Sequence, residues 1–298
     1  MVNQQINALI FNPSIVLPRY GYHFVRTLKP TLERMAPATT LPIVNKGRFS
    51  EIGIPVPPLS EQRRIADILD KADAIRRKRS EALALTDELL RATFLEMFGD
   101  PVTNPRGWPI RELGDLLEFL TSGSRGWAQY YADEGYLFIR IQNVRDDELN
   151  LEDVTYVNAP EGAESERTRV QPRDVLLSIT ADLGRTAVVP DLAQPAYINQ
   201  HLAILRTKQL HPEYLSAFLS SEGGRRQLLR MNRAAVKAGL NFTDIRGVKV
   251  PVPPNGLQLR YAIAKHQIRV QQARLQRARD AEEILFASLQ HRAFRGEL

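Results

Sequence analysis

The sequence predicts a mixed α/β fold joined to two long helices that pack together, laid out as one and a half copies of a repeat. Three observations predict it. The phrases "EIGIPVPPLSEQRRIADIL" (51–69) and "GVKVPVPPNGLQLRYAIAK" (247–265) share one plan: a short apolar strand, a proline-locked corner, a polar pair, then a long charged helix. The helices that follow carry apolar residues at three- and four-residue steps. Between them, residues 109–254 set β-branched runs against short polar loops.

The repeat has a period near 196 residues. Pro55 and Pro251, Gln62 and Gln258, Asn45 and Asn241, Asn3 and Asn199, and Phe98 and Phe294 are all separated by 196 positions. "LPRYGYHFV" matches "HPEYLSAFL" after a two-residue length difference. The second copy runs from about residue 105 to residue 298. The first begins only at its "NQ" segment and lacks a counterpart of residues 105–197, so residues 1–58 read as a remnant.

Taken in order, that remnant offers a strand-like segment, a helical piece around Tyr20–Leu28, and a strand into Pro55. Proline fixes φ and donates no ladder bond, so "PVPP" ends the strand and aims the chain. Ser60 reads as the N-cap of the first long helix, with Glu61 in its first turn. This helix occupies residues 59–100 and would be roughly 55 Å long. A helix so long and narrow-faced wants a partner helix. "GDPVTNPRGWP" stops it and opens the mixed domain, residues 101–256. There "YLFIRIQNV", "DVLLSIT", "TAVVP" and "LAILRT" read as strands. "PEYLSAFLSSEGGRRQLLRMNR" reads as helix broken at Gly223-Gly224, and "KAGLNFTDI" as a loop. Asn255 would cap the second long helix, residues 257–298. The expected packing stripe is Ile65, Ile68, Ala72, Ile75 and Leu89 against Val270, Ala281 and Leu285.

Composition excludes several classes of function. The 298 residues are 43 % apolar, enough for a buried core, and no apolar run is long enough to span a membrane. The N-terminus lacks a basic segment followed by an apolar one, so no secretory signal is read there. Cysteine is absent, which removes disulfides and thiolate metal sites and fits a reducing cytoplasm. No two of the five histidines have metal-ligand spacing on one helix. There is no nucleophile–His–acid set and no G-x-x-x-x-G-K-[ST] or G-x-G-x-x-G loop, and neither Asn-Pro site extends to a methyltransferase motif. No catalytic residue is therefore assigned. The net charge is +6; residues 1–58 and 257–298 are each +4, whereas residues 101–256 are near neutral. Inside that neutral block "RRQLLRMNRAAVK" (225–237) has five cations and no acid. Such a stripe suits either a polyanion or a solvated helix face.

The ordered set of fragments resembles the specificity subunit of type I restriction–modification systems. The resemblance rests on the two strand-to-helix phrases and on the helix ends "FLEMFGDP" and "AFRGEL". Between them lie "LGDLLEFLTSGSRGW", "FIRIQNV", "DVLLSITADLGRTAVV", "YINQHLAIL" and "GLNFTDIRGVKVPVP". It implies a target recognition domain followed by a long helix in each repeat, the two helices packing antiparallel as a coiled-coil spacer between half-site readers. It implies double-stranded DNA as ligand, with methyltransferase subunits and a restriction–translocase subunit as partners. S-adenosylmethionine would be bound by the methyltransferase and not by this chain. A second copy of the chain, or a complementary half subunit, would supply the other reader. The alternative is a scaffold that holds partners through its helices and no longer reads a site.

Reading bases needs Arg, Lys, Asn, Gln, Ser or Thr where loops leave strands, with further cations on phosphates. The candidates are Ser122, Ser124 and Arg125 in one small loop, and Arg140, Gln142 and Asn143 at a strand end. Arg140 and Gln142 would share a face there. Thr180 and Arg185 flank a turn, Asn199, Gln200 and His201 lead into a strand, and Arg230, Arg233 and Lys237 come from the basic stripe. Asn199 recurs as Asn3, which assigns it equally to the fold. Asn241 recurs as Asn45 and reads as a turn residue, and Trp127 reads as core.

Overall fold

The computed structural model describes residues 8–35, 44–231 and 239–298. Helices α1 (Pro18–Thr27), α2 (Lys29–Met35) and α3 (Lys46–Ser50) precede the long helix α4 (Leu59–Phe98). The mixed region then runs β1 (Ile110–Glu112), α5 (Leu113–Leu116), β2 (Leu117–Ser122), β3 (Tyr131–Ala132), β4 (Tyr136–Ile139), β5 (Val144–Arg145), β6 (Glu148–Leu149) and β7 (Thr155–Val157). It continues with α6 (Ala163–Thr168), β8 (Val175–Ser178), β9 (Thr186–Val188), β10 (Ala196–Ile198), β11 (Leu202–Thr207), α7 (Pro212–Ser220) and α8 (Glu222–Met231). Finally come α9 (Phe242–Arg246), β12 (Lys249–Pro251) and the second long helix, α10 (Asn255–Ala293). Two compact units result, Met1–Glu88 with Arg269–Leu298, and Leu89–Ile268, with the boundaries inside the long helices.

In the second unit two four-stranded sheets are built, in the orders β2-β11-β8-β9 and β10-β4-β7-β3. Strand β8 is buried throughout and β11 over its first four residues, as their apolar runs require. Val175, Leu177, Ala203 and Leu205 join Leu215, Phe218 and Leu228 of α7 and α8 in one core. Leu176, Ile204 and Ile198 face a second core with Ile139 and Val144. Strand β12 pairs antiparallel with β1, Ile110 opposite Pro251. The break between α7 and α8 falls at Ser221, not at the expected glycine pair. A Cβ on Gly224 would lie 2.2 Å from the Phe218 carbonyl, so glycine is there to let two helices approach.

In the first unit the long helices pair antiparallel. The Arg76 guanidinium holds Glu283 at 2.6 Å, Arg79 holds Glu282 at 2.8 Å, and Gln272 donates to Asp87 at 2.9 Å. On α4 the covered row in this unit is Gln62, Ile65, Leu69, Ala72, Arg76, Arg79, Leu83 and Thr86, and the same spacing continues in the second unit with Leu90, Thr93 and Met97. On α10 it is Gln272, Leu275, Arg279, Glu282, Phe286, Leu289 and Ala293, preceded in the second unit by Gln258, Tyr261, Lys265 and Ile268. Steps of three and four alternate without error, which is a heptad seam, and the two rows superpose at an offset of 196.

This seam corrects the expected stripe. Ile65 is buried, and Ile68 and Ala72 are half-covered, but Ile75 is 53 % exposed, Leu89 51 %, Val270 36 % and Leu285 58 %; Ala281 is exposed as well. The reason is chemical. The middle of the seam is ionic and polar, so apolar periodicity points to a neighbouring row instead. The caps also differ. Helix α4 starts on the Pro58 carbonyl, which accepts from Glu61 and Gln62, and α10 starts on the Pro254 carbonyl. Ser60 and Asn255 therefore lie inside the first turns.

Each unit joins its domain helix to its long helix by the same uncharged clip. The Tyr214 hydroxyl donates to the Pro251 carbonyl at 2.7 Å. The Gln258 carboxamide accepts from the His211 amide and donates to the Pro253 carbonyl, both at 2.7 Å. In the first unit Tyr20 donates to Pro55 at 2.9 Å. Gln62 accepts from Leu17 and donates to Ile15 and Pro57, all at 2.8 Å. The charges beside the clips have opposite polarity. Arg19 meets Asp67 and Asp70, His23 meets Asp70 at 2.7 Å, and Arg26 meets Asp73 at 2.9 Å. In the second unit an acid on the domain helix, Glu213, meets Lys265 on α10 at 2.6 Å.

Candidate nucleic-acid interface

Strands β4 and β10 are parallel, with Ile139 opposite Ile198, so their C-terminal ends stop together. The turns that leave them are the Arg140–Asn143 turn and the Asn199–His201 turn. They meet where the Asn199 amide donates to the Ile139 carbonyl at 3.1 Å. The loop after β2 joins them, because Ser124 bridges Asn199 and its amide donates to the Ile198 carbonyl at 3.0 Å. A Cβ on Gly123 would lie 2.2 Å from the Asn199 carbonyl, so this close approach requires glycine. The loop after β8 closes the group. The Thr180 hydroxyl lies 2.6 Å from His201 Nδ1, and Thr180 bridges Gly239 at the far end of the basic segment. Four polar loops thus converge at one end of the sheets.

Within that cluster the side chains divide by availability. Arg125 and Gln142 are exposed and carry no ion pair among the described residues. Arg140 is half-buried, with Asp153 at 3.9 Å, and Arg185 is paired with Asp182. Ser122 is half-buried, and its carbonyl accepts from Arg167 at 2.5 Å. Gln200 and His201 are half-exposed beside one another. Arg230 is exposed at the end of α8, and Arg233 and Lys237 lie outside the described residues.

Two candidates are taken up by the fold. Ser124 is buried and donates to the Thr168 hydroxyl at 3.0 Å. Asn143 is 2 % exposed; its oxygen accepts from the Arg140 amide at 2.9 Å, and its nitrogen donates to the Asn150 and Asp153 carbonyls at 3.0 and 2.7 Å. A carboxamide with that many backbone partners is a structural knot. Arg140 caps a short 3₁₀ turn, so the expected strand alternation that set Arg140 and Gln142 on one face does not hold. Asn241 caps α9 through its Asp244 partner and Asn45 caps α3, as their recurrence suggested, and Trp127 is core, stacked on Phe138. Sequence reasoning missed Gln62 and Gln258, whose recurrence was visible but whose burial was not.

In the hairpin after the Arg140–Asn143 turn, burial pushes the Asp147 carboxyl up, and the adjacent Lys265 ammonium and Ser216 hydroxyl pull it back. No group of three His, Cys, Asp or Glu among the described residues could hold a metal ion.

Comparison with known proteins gives a consistent result. The family model for the type I restriction modification DNA specificity domain matches residues 1–85 and 105–267. The chain is similar to the type I restriction enzyme EcoBI specificity subunit of Escherichia coli, 21 % identical over 85 % of this chain and 59 % of that protein. It is also similar to the MjaVIII specificity subunit of Methanocaldococcus jannaschii, 19 % identical over 78 % of this chain and 59 % of that one. The chain therefore spans about three-fifths of the length of these curated relatives. Among solved structures, the type I restriction–modification S subunit from M. genitalium shares the fold, with a TM-score of 0.60 at 13 % identity, covering 95 % of this chain and 74 % of that one. A chain from a study of complex assembly and conformational transition of the type I system gives 0.62 at 24 % identity, covering 96 % and 73 %. With the matched model covering most of both repeats, the chain belongs to the type I restriction–modification DNA specificity family.

Proposed function

We propose that this chain reads one half of a split DNA target through its second unit and carries no catalytic step itself. The observation that supports this most directly is the convergence of four polar loops at one sheet end, one of which bridges Gly239, two residues past the basic 225–237 sequence. Arg125 and Gln142 are the reading side chains, suited to base edges by their donors and acceptors. Arg230, Arg233 and Lys237 neutralise phosphates. The proposed partners are methyltransferase subunits, which bring S-adenosylmethionine, and through them a restriction–translocase subunit, acting in the cytoplasm. The outward row of the helix pair supports such docking. Ile75 and Ala82 of α4, and Ala278 and Leu285 of α10, all lie one place before a seam residue. In an antiparallel pair these positions share one side. A second copy of the chain, or a complementary half subunit, supplies the second reader by helix pairing.

The test is a binding-site selection with the purified chain, alone and with the methyltransferase subunit. A short continuous half site, or its inverted repeat at fixed spacing, is expected. Two unrelated halves would sink the homodimer, and sequence-blind, salt-sensitive binding alone would favour the scaffold reading.

A further inference from the structure

The hairpin that follows the Arg140–Asn143 turn is small and held at both ends. Val144 pairs with Leu149 and Arg145 with Glu148, leaving Asp146 and Asp147 as a two-residue tip. Its base is tied by the Asn143 carboxamide and by the Asn150 amide on the Asn143 carbonyl at 2.7 Å. Hairpins of two strands are marginal by themselves; Val144 and Leu149 anchor the strands of this one in the second core, and the tip contacts fix its far end. Asp146 accepts from Arg225 of α8 at 2.6 Å and bridges Thr186 of β9. Asp147 has φ +60°, a left-handed conformation rare for a non-glycine residue, and this directs its carboxylate inward. There it meets Lys265 Nζ at 2.6 Å; the lysine side chain is 6 % exposed and also holds Glu213 of α7 at 2.6 Å. At the equivalent place in the first repeat stands Leu69, buried among apolar neighbours. The buried cation is therefore a feature of the second repeat and not of the general joint.

We propose that Lys265 and Asp147 are positioning residues of the reading domain: their buried ion pair fixes the hairpin tip to α10 and so holds Gln142, at the hairpin base, in one orientation. The base lies only about 10 Å from the tip at a strand rise of about 3.3 Å per residue, so tip movement is passed on to the turn. Buried ion pairs add little net stability; the role proposed for this one is to fix the tip in a single geometry, on which base discrimination depends. The two contacts of Lys265 do different jobs. Glu213 ties the long helix to the domain helix, whereas Asp147 ties it to the reading hairpin. The proposal rests on the reading of the Arg140–Asn143 turn as DNA-facing.

The test compares Asp147→Gly with Glu213→Gln in the full chain. Glycine keeps the left-handed backbone and removes the carboxylate. The readouts are the affinity ratio between the selected site and a scrambled duplex at fixed salt, and hydrogen exchange of residues 140–150. Asp147→Gly is expected to lower the ratio at least fivefold, leave scrambled-duplex affinity within twofold, and speed exchange in the hairpin. Glu213→Gln should keep the ratio within twofold and the exchange unchanged. Asp147→Asn, which restores a hydrogen-bonding oxygen, should recover most of the lost selectivity. Equal losses in both variants, or a wild-type ratio in Asp147→Gly, would overturn the positioning role. A wild-type chain with no sequence preference would instead refute the DNA reading. The exchange arm would then still decide the lock, which fails if Asp147→Gly leaves residues 140–150 as protected as before.

Discussion

Replacing Gln258 by leucine removes a clip that no apolar side chain can imitate. The residue is fully buried, accepts from the His211 amide and donates to the Pro253 carbonyl. Leucine fills a similar volume, so the loss is chiefly polar: one half-buried amide and one buried carbonyl are left without partners. Each such group costs about 1–3 kcal/mol, and the pair roughly 2–6 kcal/mol. For a unit of this size that corresponds to a fall in melting temperature of about 5–20 °C. Calorimetry measures the total, and hydrogen exchange locates it. The His211 amide should lose protection in Gln258→Leu, while the Leu17 amide, held by Gln62, should not change. Tyr214→Phe removes a single neutral hydrogen bond and should cost less, about 1 kcal/mol. A Gln258→Leu chain within 1 kcal/mol of wild type, with His211 still protected, would refute the clip.

Other expectations follow from the same geometry. Leu83→Ala and Phe286→Ala should each cost about 2–5 kcal/mol because both side chains are buried in the helix pair; Ile75→Ala and Leu285→Ala should stay within about 0.5 kcal/mol in the isolated chain, as urea titration can measure. Burial opposes ionisation of Asp70 and Asp73, yet hydrogen bonds from His23 and Arg19, and from Arg26, outweigh it and hold both carboxyls below the usual range. The folded chain then binds fewer protons than the unfolded one, so this stabilisation is full above the unfolded pKa of about 3.9 and is lost as pH falls through the lower folded values. An Asp70→Asn chain should show a shallower acid limb in a pH–melting series. In DNA binding, Arg125→Ala should relax preference at particular base pairs by about 1–3 kcal/mol, whereas Lys237→Ala should weaken all sequences alike and flatten the salt dependence. The reverse pattern in a mutant-by-duplex titration would exchange the reading and phosphate roles.

Several parts of this molecule were legible in the sequence for a physical reason. The long helices announce themselves because proline locks the corner before them and charges cover their outer faces. The repeat is legible because residues with backbone duties, such as Asn45 and Asn241 at helix caps, cannot drift without cost. The helix seam was not legible, because Arg76, Arg79, Arg279 and Glu282 occupy core positions of the heptad and mask it. The candidate site was half legible. Its loops were found from polar residues at strand ends, but side-chain-to-backbone bonds leave no periodic trace. Nothing in "FIRIQNV" tells that Asn143 turns inward while Gln142 turns outward. The role of Lys265 was equally hidden, since a lysine on a charged helix reads as solvated until Asp147 is brought to it.

The duplicated clip bears on how such a gene can change. Tyr, Gln and a proline carbonyl are the same in both copies, so a crossover between the two proline phrases would join α1 to α10 with every clip bond available. The flanking charges would not agree. Arg19, His23 and Arg26, which now face Asp67, Asp70 and Asp73, would find Ile263, His266 and Arg269 at the same places, with Lys265 beside them. Three acidic partners would be exchanged for one apolar and two basic neighbours. The uncharged clip makes the modules mechanically interchangeable, and the charges around it mark each domain helix as belonging to its own spacer. A recombinant would keep the clip but lack these ion pairs until its acidic or basic partner had been rewritten too.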